Sequence, residues 1–310
     1  MIQQETYRQT VLTVGLGKLK TYIEFSKFRL SFLVVVSAVL TYLFAASTFY
    51  IEWDYVDMLC LIFGGFLVTA GSNGLNQVIE IDLDKLMDRT KNRPLPSGRM
   101  TVNEGLIVSG LLGFVGVLIL WKGMNQLSGI LGLFALVSYA LIYTPLKRKT
   151  PFAVFVGAFP GAIPPVIGWT AATGEMEHPV LWMLFAIQFV WQFPHFWAIA
   201  WKMHDDYAKA GFRMLPSPGG KDKSSAYQIM VYTLFLIPVS TLLYLFDFYS
   251  DQINYVHGYS LPVVLILGFW FAYKSLKLFK SLDDKDATAL MFASFVYLPL
   301  VQIAILLDKI

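Results

Sequence analysis

The stretch Asn76-Gln-Val-Ile-Glu80-Ile-Asp82-Leu-Asp84-Lys-Leu-Met-Asp88-Arg89-Thr-Lys-Asn-Arg93-Pro94 closes an apolar run over residues 56–78 and holds four acids and four bases. Such a cluster at the end of a membrane-length segment needs a reason. Holding an anionic substrate through a divalent metal is the best one available. Asn76, Glu80, Asp84 and Asp88 recur at every fourth residue. Each step advances a helix by about 400°, so one amide oxygen and three carboxylates share a slowly drifting stripe. Hard oxygen ligands of this kind suit Mg²⁺, which takes one or two carboxylates plus waters and substrate phosphates. Asp82 points elsewhere on an unbroken helix and joins the set if the helix breaks near Ile81. Arg89 and Arg93 follow at once, with Lys85, Lys91 and Arg99 beside them. Guanidinium forks grip phosphate oxygens, so acids and bases together describe a metal–diphosphate site. A solvated charged loop is the simpler reading of an isolated charge run. Here the stripe begins inside the apolar span, where a carboxylate costs up to ~3 kcal/mol toward the helix centre, and function is favoured.

Working outward, the rest of the chain is oily. Of 310 residues, 56% are hydrophobic and only 15% charged, against about 25% charged in soluble domains. The apolar surplus runs the whole length and predicts a polytopic protein in the lipid bilayer. Apolar runs fall at about 29–49, 56–78, 102–121, 126–144, 152–172, 179–201, 226–246, 259–279 and 287–307, which predicts nine transmembrane helices. On alternate sides, 22 of the 24 Lys and Arg collect in the N-terminal segment and the loops at 79–101, 145–151, 202–225 and 274–286. The positive-inside bias then puts the N-terminus in the cytoplasm and the C-terminus outside, in a cytoplasmic membrane. Residues 1–28 form the N-terminal segment and 29–307 one domain. No signal or transit peptide is visible. Cys60 is alone, and the four His are scattered, which leaves no disulfide framework and no cysteine metal cluster. The net charge of +3 says little, and no nucleic-acid partner is expected.

The long loops 79–101 and 202–225 follow the second and sixth spans. This four-helix offset suggests two parallel four-helix pseudo-repeats plus one further helix. Asp205 and Asp206 sit in the second half where the first cluster sits in its own, so they are expected to face it and complete the cage. His195 lies about two turns inside the sixth span, flanked by Trp191, Phe193, Phe196, Trp197 and Trp201. A histidine in that setting is either a hydrogen-bonded structural residue or a functional one. The aromatics are either ordinary packing, a pocket for a flat ring system, or a shield for a carbocation.

At this point the residues resemble a known family, the UbiA superfamily of intramembrane prenyltransferases, and within it the heme-farnesylating branch. The likeness covers roughly residues 20–305. It rests on Asn76…Glu80-Ile-Asp82-Leu-Asp84…Asp88-Arg89-Thr-Lys-Asn-Arg93-Pro94, on Tyr143-Thr-Pro-Leu-Lys147-Arg148, on Gly157…Gly161-Ala-Ile-Pro164-Pro165…Gly168-Trp169, and on Trp191-Gln-Phe-Pro-His195-Phe-Trp-Ala…Asp206-Tyr-Ala…Gly211. Quinone-type members typically carry Asp where this chain has Gln77, and three spaced aspartates in the second motif, of which the early one is absent here.

The resemblance implies an all-α fold of nine helices around a central cavity. It implies Mg²⁺-dependent farnesyl transfer from farnesyl diphosphate to a vinyl group of heme B. The metal set would be Asn76, Glu80, Asp84, Asp205 and Asp206, with Asp82 and Asp88 as further candidates. Lys27, Arg29, Arg89, Arg93, Lys147, Lys202 and Arg213 would bind diphosphate. His195, Lys147 and Tyr143 would act in catalysis. Trp191, Phe193, His195, Phe196 and Trp197 would form the heme and prenyl pocket. A heme A synthase or terminal oxidase is implied as a partner. The competing readings are a quinone-pathway prenyltransferase of the same fold and a transporter with repeat symmetry. A transporter places polar site residues near the bilayer midplane, whereas these acids cluster at the edge.

Overall fold

The computed structural model describes residues 17–249 and 254–310, apart from the side chains of Phe28 and Arg29. Among them, nine helices are long and apolar enough to cross a membrane: α1 (Leu30–Thr48), α2 (Tyr55–Ile79), α3 (Val102–Met124), α4 (Gln126–Leu146), α5 (Ala153–Thr173), α6 (Pro179–Lys202), α7 (Lys223–Phe248), α8 (Leu261–Ser281) and α9 (Asp284–Lys309). Every expected span matches one of these to within three residues at either end. No strand occurs among the described residues. Helices leave no backbone group unpaired in lipid, which is why hydropathy alone locates them. Their ends are marked by side chains. Thr101 and Glu104 form a reciprocal capping box at the start of α3, and Asp222 accepts the Ser225 N–H at the start of α7.

The helices close around a centre. α1 packs on α2, α5 and α9, and α6 packs on α5, α7 and α9. The neighbour order repeats between halves: α2 lies on α3 as α6 lies on α7, and α4 lies on α5 as α8 lies on α9. The tightest seam is α2 on α3. A Cβ on Gly71 would stand 2.7 Å from the Gly113 nitrogen, and one on Gly116 would stand 2.6 Å from the Val68 nitrogen. Lipid gives helices no hydrophobic reason to associate, so small residues that let backbones touch supply the packing.

α5 carries Pro160, Pro164 and Pro165 within the helix. Pro165 has no N–H, so the Gly161 carbonyl loses its helical partner. Gln188 of α6 replaces it, donating to that carbonyl at 2.8 Å, and Gln192 donates to the Ala158 carbonyl at 2.9 Å. Between α1, α2, α4, α5, α6 and α9 lies a central cavity, whose wall includes Val34, Thr69, Tyr143, Gln192 and His195. Ser37, Gln188 and Gln302 join in one hydrogen-bonded cluster on that wall. These side chains carry no charge, so they leave no mark in the chain's pattern of ionisable residues.

The α2–α3 seam is testable. Gly71→Val and Gly116→Val force backbone against a new side chain and are expected to destabilise by about 1–3 kcal/mol each. Gly110→Val, on an exposed face of α3 with nothing within 4 Å, is the control. Thermal unfolding in detergent should fall for the first two variants and hold for the third. Unchanged midpoints in all three would contradict the seam.

Candidate active site

α2 ends at Ile79, Glu80 caps it with φ −98°, and a short helix follows over Ile81–Asp84. The break keeps part of the acidic stripe together and releases the rest. Glu80 and Asp84 are buried, at 4% and 1% exposure, and Asn76 is buried beside them. Asp82 does not join them even though the helix breaks. Its side chain is 85% exposed and pairs with Lys85 at 2.9 Å. Asp88 also swings outward and pairs with Lys91 and Lys209, which push its carboxyl down to about 2, with Lys209 the larger influence.

The two buried carboxylates have defined partners. Asn76 Nδ2 donates to Glu80 Oε2 at 2.8 Å and to Thr144 Oγ1 at 3.1 Å. Lys147 Nζ stands 2.6 Å from Glu80 Oε1, a close ion pair rather than an aligned hydrogen bond. Arg93 Nη1 donates to Asp84 Oδ2 at 2.7 Å, and Asp84 Oδ1 is buried without a partner. An unsatisfied buried charged oxygen costs more than the ~1–3 kcal/mol of a neutral one, and so marks a place for a cation.

Two lysines complete the charge. Burial lowers the Lys147 ammonium below its usual range, against the pull of Glu80. Its Nζ lies 5.1 Å from the Tyr143 ring and 5.6 Å from the Phe212 ring. Lys27 is pushed down to about 7, by burial first and then by the Arg93 and Lys147 cations, while Asp84 and Glu80 oppose them. Its backbone is left-handed at φ 50°, an unusual state for a lysine. Gln77 explains how that turn is held. It is 1% exposed and donates from Nε2 to the Phe25 carbonyl at 2.7 Å, two residues before Lys27. A carboxylate at position 77 has no hydrogen to give that carbonyl.

α4 ends in a π-turn over Ser138–Tyr143, a feature frequent at functional sites. It places Tyr139 and Tyr143 5.3 Å apart, next to Thr144. A Cβ on Gly157 would lie 2.6 Å from the Tyr143 ring, so glycine there is what admits the ring. Tyr139, Tyr207 and Phe212 were not singled out from the sequence, yet Tyr139 lies beside Tyr143, Tyr207 packs edge-on against Phe212, and Phe212 covers Lys147. Nothing but their aromatic character in the site's own segments marks them.

The second loop differs from expectation. Asp206 accepts the backbone N–H of Asp88 at 2.8 Å on Oδ1 and that of Arg89 at 3.2 Å on Oδ2. Burial would raise its carboxyl, but these two N–H groups and the Lys209 ammonium outweigh it and hold it below the usual range. Asp206 therefore clamps the first loop. Asp205 is 89% exposed, beside His204, and so faces away from Glu80 and Asp84. Lys202 sits 5.9 Å from the Phe292 ring, and Arg213 and Arg89 are exposed. The Arg29 side chain lies outside the described residues.

Of the aromatic run on α6, Trp191, His195 and Phe196 reach the cavity. Phe193 and Trp197 do not. Phe193 packs with Phe155, Phe189 and Tyr232, and Trp197 with Phe193 and Tyr232. Two residues along a helix is a turn of about 200°, so 193 and 197 lie opposite 191 and 195.

Among the described residues no three His, Cys, Asp or Glu come together as metal ligands. The chain does offer two buried carboxylates and an amide. Mg²⁺ is typically held by one or two carboxylates with substrate phosphates completing its shell, so Asp84 Oδ1, Glu80 and Asn76 fit such an ion.

The UbiA prenyltransferase family matches over residues 34–297. The protoheme IX farnesyltransferase of Cytophaga hutchinsonii is 45% identical over 95% of this chain and 99% of its own length. The solved digeranylgeranylglyceryl phosphate synthase superimposes with a TM-score of 0.75 at 20% identity, over 94% of this chain and 98% of the other. A UbiA homologue from Archaeoglobus fulgidus, solved with GPP and Mg²⁺, gives 0.67 at 14% identity, over 92% and 99%. The helical fold of the described residues is that of these solved proteins, and the chain belongs to the UbiA prenyltransferase family.

Proposed function

We propose that this chain transfers the farnesyl group of farnesyl diphosphate to a vinyl group of heme B, releasing diphosphate and giving heme O. The reading rests on Tyr143, which borders both the charged cluster and the cavity. Lys147, the partner of Glu80, lies 5.1 Å from the Tyr143 ring, and Tyr143 lines the same apolar cavity as His195. The identity to the Cytophaga relative supports the choice of acceptor.

Lys27, Arg93 and Lys147 take the diphosphate oxygens in this reading. Asp84, Glu80 and Asn76 would hold Mg²⁺, which when bound would supply Lewis-acid neutralisation of the leaving diphosphate. The allylic C–O bond breaks with its electron pair leaving on diphosphate. The Tyr139 and Tyr143 rings present electron-rich faces to the allylic cation. The vinyl carbon bonds to the farnesyl terminus, and water captures the new cation with loss of a proton, leaving a hydroxyl. A vinyl carbon is a weak nucleophile, so preorganised charge around the leaving group does most of the work. Asp206 acts through the loop it clamps, which carries Arg93. The lysine-rich face belongs in the cytoplasm by the positive-inside bias, and a heme A synthase or terminal oxidase would take the product.

Purified protein given heme B and farnesyl diphosphate should yield a more hydrophobic heme on reversed-phase chromatography, and no product from 4-hydroxybenzoate. Chelation of divalent metal should stop diphosphate release. Glu80→Gln and Asp84→Asn should each lower turnover by about 10²–10³. Full activity in either variant would contradict the assignment.

Lys27 adds a pH dependence. Pushed down to about 7, it is charged below that pH and neutral above it. Its grip on an anion is therefore present below about 7 and lost as pH rises. Diphosphate affinity should fall about tenfold more steeply above pH 7 in the wild type than in Lys27→Arg, the worth of one charged hydrogen bond of about 1.5 kcal/mol. Parallel profiles in the two proteins would remove Lys27 from the site.

A further inference from the structure

Trp191 and His195 stand one turn apart on α6, and their rings stack at 4.5 Å with 15° between planes. A single residue of α9 holds both. Ser294 Oγ lies 2.7 Å from His195 Nδ1, and the Ser294 carbonyl accepts the Trp191 indole N–H at 2.9 Å. The next residue, Phe295, sets its ring edge against His195 at 4.8 Å.

The hydrogens follow from counting. Ser294 Oγ also lies 2.6 Å from the Met291 carbonyl, and two oxygens at that separation repel unless a hydrogen lies between them. The serine has one hydroxyl hydrogen, so it goes to Met291. Ser294 therefore turns a lone pair toward His195, and the proton between them belongs to Nδ1. Nε2 is then the bare nitrogen. It has no partner among the described residues, and its ring lines the central cavity.

What does a bare nitrogen there bind? It offers no hydrogen to a carboxylate, and no Lys or Arg lines the cavity among the described residues. A propionate gains nothing from it. An ordered water needs two to four polar partners. The rings about His195 are Trp191, Phe196 and Phe295, and the Trp191 N–H is already engaged. A neutral imidazole whose other nitrogen donates to a fixed acceptor is the usual form of a metal ligand.

We propose that His195 Nε2 ligates the iron of the heme acceptor, and that Ser294 is the positioning residue that sets the tautomer and, through Trp191, the plane of the ring. This rests on heme being the acceptor. It assigns Ser294, which no motif in the sequence marks, a share in acceptor recognition.

The test compares iron protoporphyrin IX with metal-free protoporphyrin IX, titrated spectroscopically into the full chain in detergent. The wild type should bind the iron form at least about tenfold tighter, with the absorption of an imidazole-ligated heme. His195→Ala should bind both porphyrins equally. Ser294→Ala should lose about tenfold for the iron form alone, and Ser294→Thr, which keeps the hydroxyl, should restore it. Unchanged affinity for the metal-free porphyrin reports an intact cavity in each variant. No iron preference in the wild type, or an undiminished one in His195→Ala or in a folded Ser294→Ala, would overturn the proposal. Should Ser294→Ala fail to fold, the wild type and His195→Ala decide it. A wild type that farnesylates heme without preferring the iron form refutes this inference alone. A wild type that does not farnesylate heme refutes the underlying reading.

Discussion

Two carboxylates buried at the edge of a membrane bundle cannot stand alone. Taking a charge out of water costs several kcal/mol unless it is paired and hydrogen-bonded. Glu80 and Asp84 meet that cost with partners from separate parts of the chain. Lys147 comes from the end of α4, Arg93 from the loop after α2, and Asn76 from α2 itself. Lys27 joins from the turn before α1, held there by Gln77. The pairing stops one oxygen short, at Asp84 Oδ1. A further cation placed there would complete the pairing.

The rest of the molecule serves this point. The glycine seam between α2 and α3 fixes the helix that presents the acids. Asp206 ties the second loop to the first by backbone hydrogen bonds, so the two halves of the repeat are joined mechanically at this point. Pro165 of α5 releases the Gly161 carbonyl, which Gln188 takes up, and Gln192 adds a bond to the Ala158 carbonyl, which together draw α6 against α5 with its His195 face toward the cavity. Polar chemistry at one end and an apolar chamber behind it suit a substrate with a charged head and a long hydrocarbon tail.

Much of this was legible in the sequence, for physical reasons. Lipid forces the backbone into helices, so nine apolar runs became nine spans. A helical period of four put Asn76, Glu80 and Asp84 together. That period failed at Asp88 because the short helix after Glu80 ends at Asp84 and the chain turns outward. Asp205 and Asp206 were placed by analogy of position, which could not tell a clamp from a ligand. Phe193 and Trp197 were grouped with His195 by nearness in sequence, although a helix sends them to the opposite face. Tyr139, Phe212 and Ser294 gave no signal, because their roles arise from contacts between distant segments.

The most direct measurement is the location of a divalent ion. Mn²⁺ can be traced by anomalous scattering in crystals grown with a non-hydrolysable farnesyl diphosphate analogue. The account predicts an ion coordinated by Asp84 Oδ1 and the diphosphate, with Glu80 and Asn76 within reach and Arg93 and Lys147 on the phosphate oxygens. An ion held instead by the exposed Asp82, Asp88 or Asp205, with Asp84 Oδ1 still without a partner, would contradict it.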